Sequence, residues 1–204
     1  MDIAVIGAGS VGLALARAWQ NAGLQVTIAV RDPEADRYEA VWTEFAIGTI
    51  QETVPQAAAT LLALPGAALP ELLSARAAVL DGRLVLDATN AMGGVHLHQV
   101  ALLQQALPQA RVYRAFNTLG WENYTTPGFD LAGTLVPADL FYCGPEGADL
   151  PQVEQLISAV GLRPVRIGDL DAANLLDGVT RLWFDLALGQ SRGRHLAFRL
   201  LADS

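Results

Sequence analysis

In the first 116 residues an unbroken apolar run at 3–6 is followed by further strand-like stretches, mostly apolar, at 25–30, 46–50, 60–64, 84–87 and 111–116. A strand whose apolar positions do not alternate is covered on both faces, as in a parallel sheet. Between the runs the period becomes helical. Val11, Leu15 and Ala18 share one face, and Asn21-Ala22-Gly23 supplies a stop. Asp32, Pro33 and Glu34 read as an N-cap opening a helix towards Trp42, and further helices are expected over 70–75 and 97–107. Strands alternating with helices predict an α/β, doubly wound parallel sheet in the order 3-2-1-4-5-6. After 116 the texture changes. Residues 117–138 carry Gly120, Pro127, Gly128, Gly133 and Pro137 with little periodicity. A small α/β-helical extension follows: strand 140–143, helix 151–160, strand 163–167 and helix 171–188. The expected division is therefore 1–138 and 139–204.

Composition narrows the chemistry. The chain has 204 residues, 52% of them hydrophobic and 17% charged, enough apolar material for a sizeable core. A net charge of -8 leaves no basic surface for nucleic acid. All 13 cationic side chains are arginine, so every mechanism that needs a lysine is closed. Cys143 is the single cysteine and, within Phe141-Tyr142-Cys143-Gly144, reads as a small buried apolar residue. His96-Leu97-His98 could clamp a metal along a strand, but a loop or helix start is the commoner setting for such a pair. No metal is expected. The uncharged stretch 53–70 is interrupted by Pro55, Pro65, Gly66 and Pro70, which rules out membrane insertion there. With an apolar strand starting at residue 3 and no charged leader, the expected setting is cytoplasmic.

Gly7-Ala8-Gly9-Ser10-Val11-Gly12 lies between the first strand and the first helix, the context a dinucleotide-binding turn requires. Gly7 permits the tight turn, Gly9 lets a pyrophosphate approach, and Gly12 lets helix and sheet pack closely. The Ser10 and Val11 amides would meet the phosphates at the positive end of the helix dipole. An NAD site places an acid at the end of the second strand, but here Val30 is followed by Arg31, whose guanidinium suits a 2′-phosphate. Asp32 competes as the NAD acid and is better explained as the helix cap. Further strand ends carry Leu64-Pro65, Asp87-Ala88-Thr89-Asn90 and Ala115-Phe116-Asn117-Thr118. Asn90 and Asn117 can reach a ribose or a nicotinamide amide, and such residues are equally common as turn formers. Glu122 and Asp130 read as solvent-exposed, and no side chain is identified as a catalytic acid or base. Trp183 and Phe184 widen the face of a last helix already apolar at Leu175, Val179, Leu182 and Leu186, which suits a fully buried helix or a subunit interface. A dimer built on it through Trp183, Phe184 and Leu186 is expected.

The turn at 5–12, Val30-Arg31, Leu64-Pro65, the segment 114–123, Tyr142-Cys143-Gly144 and the stretch 161–170 together resemble the F420-dependent NADP oxidoreductase family. They are similar also to the cytoplasmic reductase domains of STEAP ferric reductases. The resemblance implies a Rossmann NADP-binding domain (1–138), a small acceptor-side and dimerisation domain (139–204) and a homodimer. It implies hydride transfer between NADP(H) and a deazaflavin (F420), or FMN or FAD as the second cofactor. Carried over by position, Gly7, Gly9, Ser10, Val11 and Gly12 would hold the pyrophosphate and Arg31 the 2′-phosphate. Leu64 and Pro65 would border the adenosine or nicotinamide side, and Ala115 and Asn117 the nicotinamide end. A non-catalytic NADP-binding sensor or regulatory protein is the alternative. A small-imine reductase would normally need a longer helical dimerisation domain.

Overall fold

A computed structural model describes residues 1–201. Six strands form one parallel sheet: β1 (Asp2–Ile6), β2 (Gln25–Val30), β3 (Ala46–Thr49), β4 (Ala59–Leu62), β5 (Leu84–Asp87) and β6 (Arg111–Arg114). Their spatial order, β3-β2-β1-β4-β5-β6, is the one the apolar runs predict. Helices α1 (Ser10–Asn21), α2 (Glu39–Trp42), α3 (Ile50–Thr53), α4 (Leu69–Leu80) and α5 (Val100–Ala106) connect them. The central strands are buried on both faces because separate apolar clusters cover them. Val5, Leu61 and Leu86 face the cluster that holds α1, while Ala4, Leu62 and Val85 face the one that holds α4 and α5.

Three local expectations change. Asp32 caps no helix: its carbonyl accepts from Ala35 N, and a 3-10 turn over Asp36–Tyr38 leads into the short α2. Residues 34–40 offer only Ala35, Tyr38 and Ala40 as apolar positions, too few for a stripe whose burial would hold a long helix. The segment expected to be irregular contains α6 (Glu122–Thr125) and an antiparallel hairpin, β7 (Phe129–Leu131) and β8 (Thr134–Val136). Ala132 and Gly133 both have positive φ in its two-residue turn, and Asp130 Oδ1 accepts from Gly133 N at 2.7 Å. The last helix is a 3-10 turn, then α8 (Ala173–Phe184), then a π turn over Asp185–Gly189.

In the remaining segment β9 (Asp139–Tyr142) pairs in parallel with β10 (Arg163–Arg166), with α7 (Leu150–Ala159) between them. A bridge between Arg114 and Cys143 joins this small sheet to the end of β6. Val153, Leu156 and Ile157 of α7 pack in the same cluster as Leu15 and Trp19 of α1, and Trp19 Nε1 donates to the Leu156 carbonyl at 2.8 Å. One apolar core therefore runs through both segments, and it fixes α8 over the carboxyl end of the sheet. Among the described residues no helix is long and apolar enough to cross a membrane.

Candidate dinucleotide site

The three glycines of the first turn are glycine for different reasons. Gly7 has φ +117°, and a Cβ there would lie 2.3 Å from the Ala63 carbonyl oxygen on β4's exit. A Cβ on Gly12 would sit 2.2 Å from the Gly7 carbonyl oxygen. The protein itself enforces both. Gly9 has an ordinary φ of -87° and no atom within 4 Å of a Cβ built on it. Nothing in the chain requires glycine there, whereas a pyrophosphate lying against the backbone would. Gly9 and Ser10 are exposed at the start of α1, Val11 is half-buried, and the helix has neither a side-chain cap nor an acid in its first turn. Its positive end is thus free to meet an anion.

Beside this turn lies a cavity of about 280 Å³ lined by Gly7, Val30, Arg31, Tyr38, Leu64 and Pro65 among others. The ends of β2 and β4 thus bring the adenosine-side candidates together. Arg31 is exposed and bonds to Glu71 Oε1 of α4 at 2.8 Å. Asp32 is exposed as well.

Asn90, Ala115 and Asn117 gather at the other end, beyond β5 and β6. Asn90 Nδ2 donates to the Asn117 carbonyl at 3.2 Å. Asn117 is buried, with its Nδ2 facing Thr180 Oγ1 of α8 at 3.4 Å. Its Oδ1 and the neighbouring Thr118 Oγ1 are buried without a hydrogen-bond partner, and such orphaned atoms call for a ligand or an ordered water. Ala115 has no exposed surface and packs in the core. Any influence it has on a ligand runs through the backbone it places.

Sequence reasoning missed what holds this end in place. Arg114 is completely buried. Its Nη1 donates to Asp87 Oδ2 at 2.9 Å and to the Thr89 carbonyl at 2.7 Å. Its Nη2 donates to Asn90 Oδ1 at 2.9 Å and reaches Asp177 Oδ1 of α8 at 3.3 Å. Asp177 in turn accepts from the backbone amides of Leu97 and His98 through Oδ2. One guanidinium therefore ties two strand ends to α8, and Asp177 ties α8 to the loop that carries both histidines. The visible signal was a charged residue closing each of two apolar strands; the partner 63 residues further on was not legible.

Phe116 adds a second missed feature. It has φ +64°, an unfavourable backbone for a bulky L-residue. Its ring sits edge-on to Trp19 and Tyr124, and Tyr124 Oη donates to its carbonyl at 2.8 Å. Burial pushes the Tyr124 hydroxyl far above its usual range, so it is a donor and not an acid at neutral pH. Backbone strain held this firmly is concentrated at functional sites. Glu122, expected in solvent, is instead partly buried and paired with Arg194. Asp130 is exposed as expected. Cys143 is buried, its thiol pushed up to about 12 by desolvation.

A six-stranded parallel sheet in this order, with a glycine turn opening its first helix, defines the Rossmann class of dinucleotide-binding proteins. Residues 2–91 match the family described as NADP oxidoreductase, coenzyme F420-dependent. That segment, somewhat under half of the chain, is similar to this family of NADP oxidoreductases. Among solved structures, a protein of Arthrobacter sp. FB24 provisionally named an F420-dependent NADP reductase superposes with a TM-score of 0.82 at 23% identity, covering 99% of this chain and 100% of that one. A hypothetical protein of Sinorhizobium meliloti gives 0.69 at 26% identity, over 100% and 96% of the two chains. An imine reductase of Streptomyces aurantiacus gives 0.69 at 18% identity, over 93% of this chain and 64% of that one. A curated relative, the glycerol-3-phosphate dehydrogenase [NAD(P)+] of Pseudomonas fluorescens (strain Pf0-1), is 32% identical over 128 residues, which is 54% of this chain. The chain spans only 35% of the length of that relative.

Proposed function

We propose that the protein is an NADPH-dependent oxidoreductase that passes hydride between NADP(H) and a deazaflavin (F420) or flavin acceptor. The observation that carries this reading is Gly9, a glycine without a reason inside the protein, beside a cavity that holds Arg31. In this reading the Ser10 and Val11 amides bind the pyrophosphate, and Arg31 binds the 2′-phosphate. Leu64 and Pro65 border the adenosine. Asn117, through its free Oδ1, accepts from the nicotinamide amide, and Asn90 holds the Asn117 backbone in place. Bound NADPH supplies the hydride from its nicotinamide ring. The protein's part is to align two rings and keep water out, which needs no general acid. The segment 139–204 then serves as the acceptor-side and dimerisation unit of a cytoplasmic homodimer.

A non-catalytic NADP sensor is the second reading. What favours it is that the charged groups behind the nicotinamide end, Arg114, Asp87 and Asp177, are all committed to one another. An NADPH-oxidation assay with F420, FMN, FAD and ferric chelates separates the two. Turnover with F420 or a flavin is expected; tight NADPH binding with no turnover on any acceptor supports the sensor.

A further inference from the structure

The adenosine-side cavity holds two arginines in different circumstances. Arg31, at the end of β2, is paired with Glu71, and both side chains are largely exposed. Arg76 lies on the same helix as Glu71 and lines the same cavity, but it is half-buried. Among the described residues it has no carboxylate within salt-bridge reach. Its guanidinium bonds at 3.2 Å to the carbonyl of its neighbour Ala75. With one neutral protein acceptor against five donors, the guanidinium keeps its other donors for a ligand, and no carboxylate compensates its charge. Across the cavity, meanwhile, a carboxylate occupies the cation best placed for a phosphate.

We propose that Arg76 is the second cation of the 2′-phosphate site, and that Glu71 is an internal anion which holds Arg31 until a phosphate replaces it. The proposal rests on the reading of Arg31 given above. A phosphate monoester carries close to two charges at neutral pH and offers three acceptor oxygens, against one charge and two oxygens for a carboxylate. Two arginines facing a dianion gain more than one arginine facing a carboxylate, so the phosphate displaces Glu71 from Arg31. A ribose hydroxyl lacks the charge to do so, and NADH leaves the Arg31–Glu71 pair intact. Glu71 therefore lowers NADPH affinity, Arg76 raises it, and neither acts on NADH. The cavity reads the phosphate by exchange of anions, with α4 supplying both the competitor and the extra cation.

Nicotinamide-fluorescence titrations of NADPH and NADH against the wild type, Arg76→Ala, Glu71→Gln and Arg31→Ala test this, with 2′-AMP and 5′-AMP as competitors. Circular dichroism checks that each variant is folded. Arg76→Ala should weaken NADPH and 2′-AMP by roughly 5- to 30-fold, the value of a charge-assisted contact at a partly exposed site, and leave NADH within about twofold. Glu71→Gln should tighten NADPH by about threefold to fivefold, an advantage that fades with added salt. Equal losses for both cofactors in Arg76→Ala would overturn the proposal. So would weaker NADH binding in Glu71→Gln, because Glu71 would then be gripping the ribose hydroxyls. If Arg31→Ala removes the NADPH preference while the two α4 variants do nothing, the proposal fails and the reading of Arg31 stands. If Arg31→Ala is silent too, both fall.

Discussion

Gly9 separates what the fold needs from what a ligand needs. Gly9→Ala puts its methyl into open space, on a backbone that alanine adopts, so stability should hold or rise slightly. In the proposed reading the same methyl stands in the pyrophosphate's path. Such overlap costs about 1–3 kcal/mol, so NADPH binding should fall roughly 5- to 150-fold. Unchanged NADPH affinity in a calorimetric titration of Gly9→Ala would place the cofactor elsewhere. In the proposed reading Arg31 carries the choice of cofactor. A charge-assisted hydrogen bond contributes about 1.5–3 kcal/mol, and because the Arg31 side chain is 74% exposed the lower end applies. Arg31→Ala should weaken NADPH about tenfold and leave NADH alone. Comparable losses for both would remove the specificity claim. Cys143 gives a prediction in pH. Its thiol sits near 12 in the fold, against an ordinary value near 8.5. The native protein should therefore resist thiol reagents at pH 8 and release one reactive thiol when denatured. Rapid native labelling would show that the Cys143 strand opens readily. At this scale the glycine turn and the place of Arg31 after β2 were legible in the sequence because local spacing defines them. Asp32 was misread because capping depends on a helix that has too little apolar surface to form.

At the scale of elements, the strands were legible and their tips were not. Short apolar stretches alternating with helical periods define a doubly wound parallel sheet, so the six-strand order followed from pattern. The hairpin of β7 and β8 escaped because Ala132-Gly133 lacks the usual asparagine or aspartate of such a turn. Thr49 and Glu52 form a capping box at α3, a signal present in the sequence and passed over. The junction at Arg114 was illegible for a deeper reason: it joins β5, β6 and α8, and only tertiary structure shows that three charges meet. Removing one member of a buried ionic group leaves the others uncompensated and costs about 3–5 kcal/mol. Arg114→Leu should therefore lower Tm by roughly 6–20 °C in a chain of this length. Asn90→Ala removes the arm that reaches Asn117 together with one acceptor of Arg114 Nη2, which keeps Asp177. It should reduce kcat more than NADPH affinity, since the phosphate contacts are untouched. A stable Arg114→Leu protein would mean that the junction is not structural. Equal changes in kcat and affinity for Asn90→Ala would mean that the nicotinamide does not lie at Asn117.

For the whole molecule, the continuous core makes residues 139–201 part of the same body as the sheet, with α8 lying over its carboxyl end. The sequence pointed to the apolar face of this helix and named Trp183, Phe184 and Leu186 for a subunit contact, a set its own chain already covers in part. Trp183 is buried, donating through Nε1 to the Leu196 carbonyl, while Phe184 and Leu186 are partly covered. The apolar residues left in solvent are Leu175, Leu182 and Leu188, at 64%, 51% and 50% exposure. Periodicity marks a face as apolar; it does not tell which half of that face its own chain covers. If α8 is the dimer contact, Leu182→Glu should dissociate the protein without unfolding it, as sedimentation at micromolar concentration would show. A wild-type monomer under those conditions would contradict the homodimer.

In the proposed reaction hydride passes directly from a nicotinamide held at Asn117 to a second ring, with no protein group as intermediary. Stereospecifically deuterated NADPH, labelled at C4 and mixed anaerobically with the protein and F420 or FMN, tests it in one turnover. The account predicts that the acceptor is reduced at the rate NADPH is consumed, slowed by a primary isotope effect from one face of the nicotinamide, and that with F420 the deuterium appears on the deazaflavin ring carbon. NADPH that binds tightly and stays reduced in the presence of every acceptor would contradict it, as would F420 reduction in which the deuterium is lost to solvent.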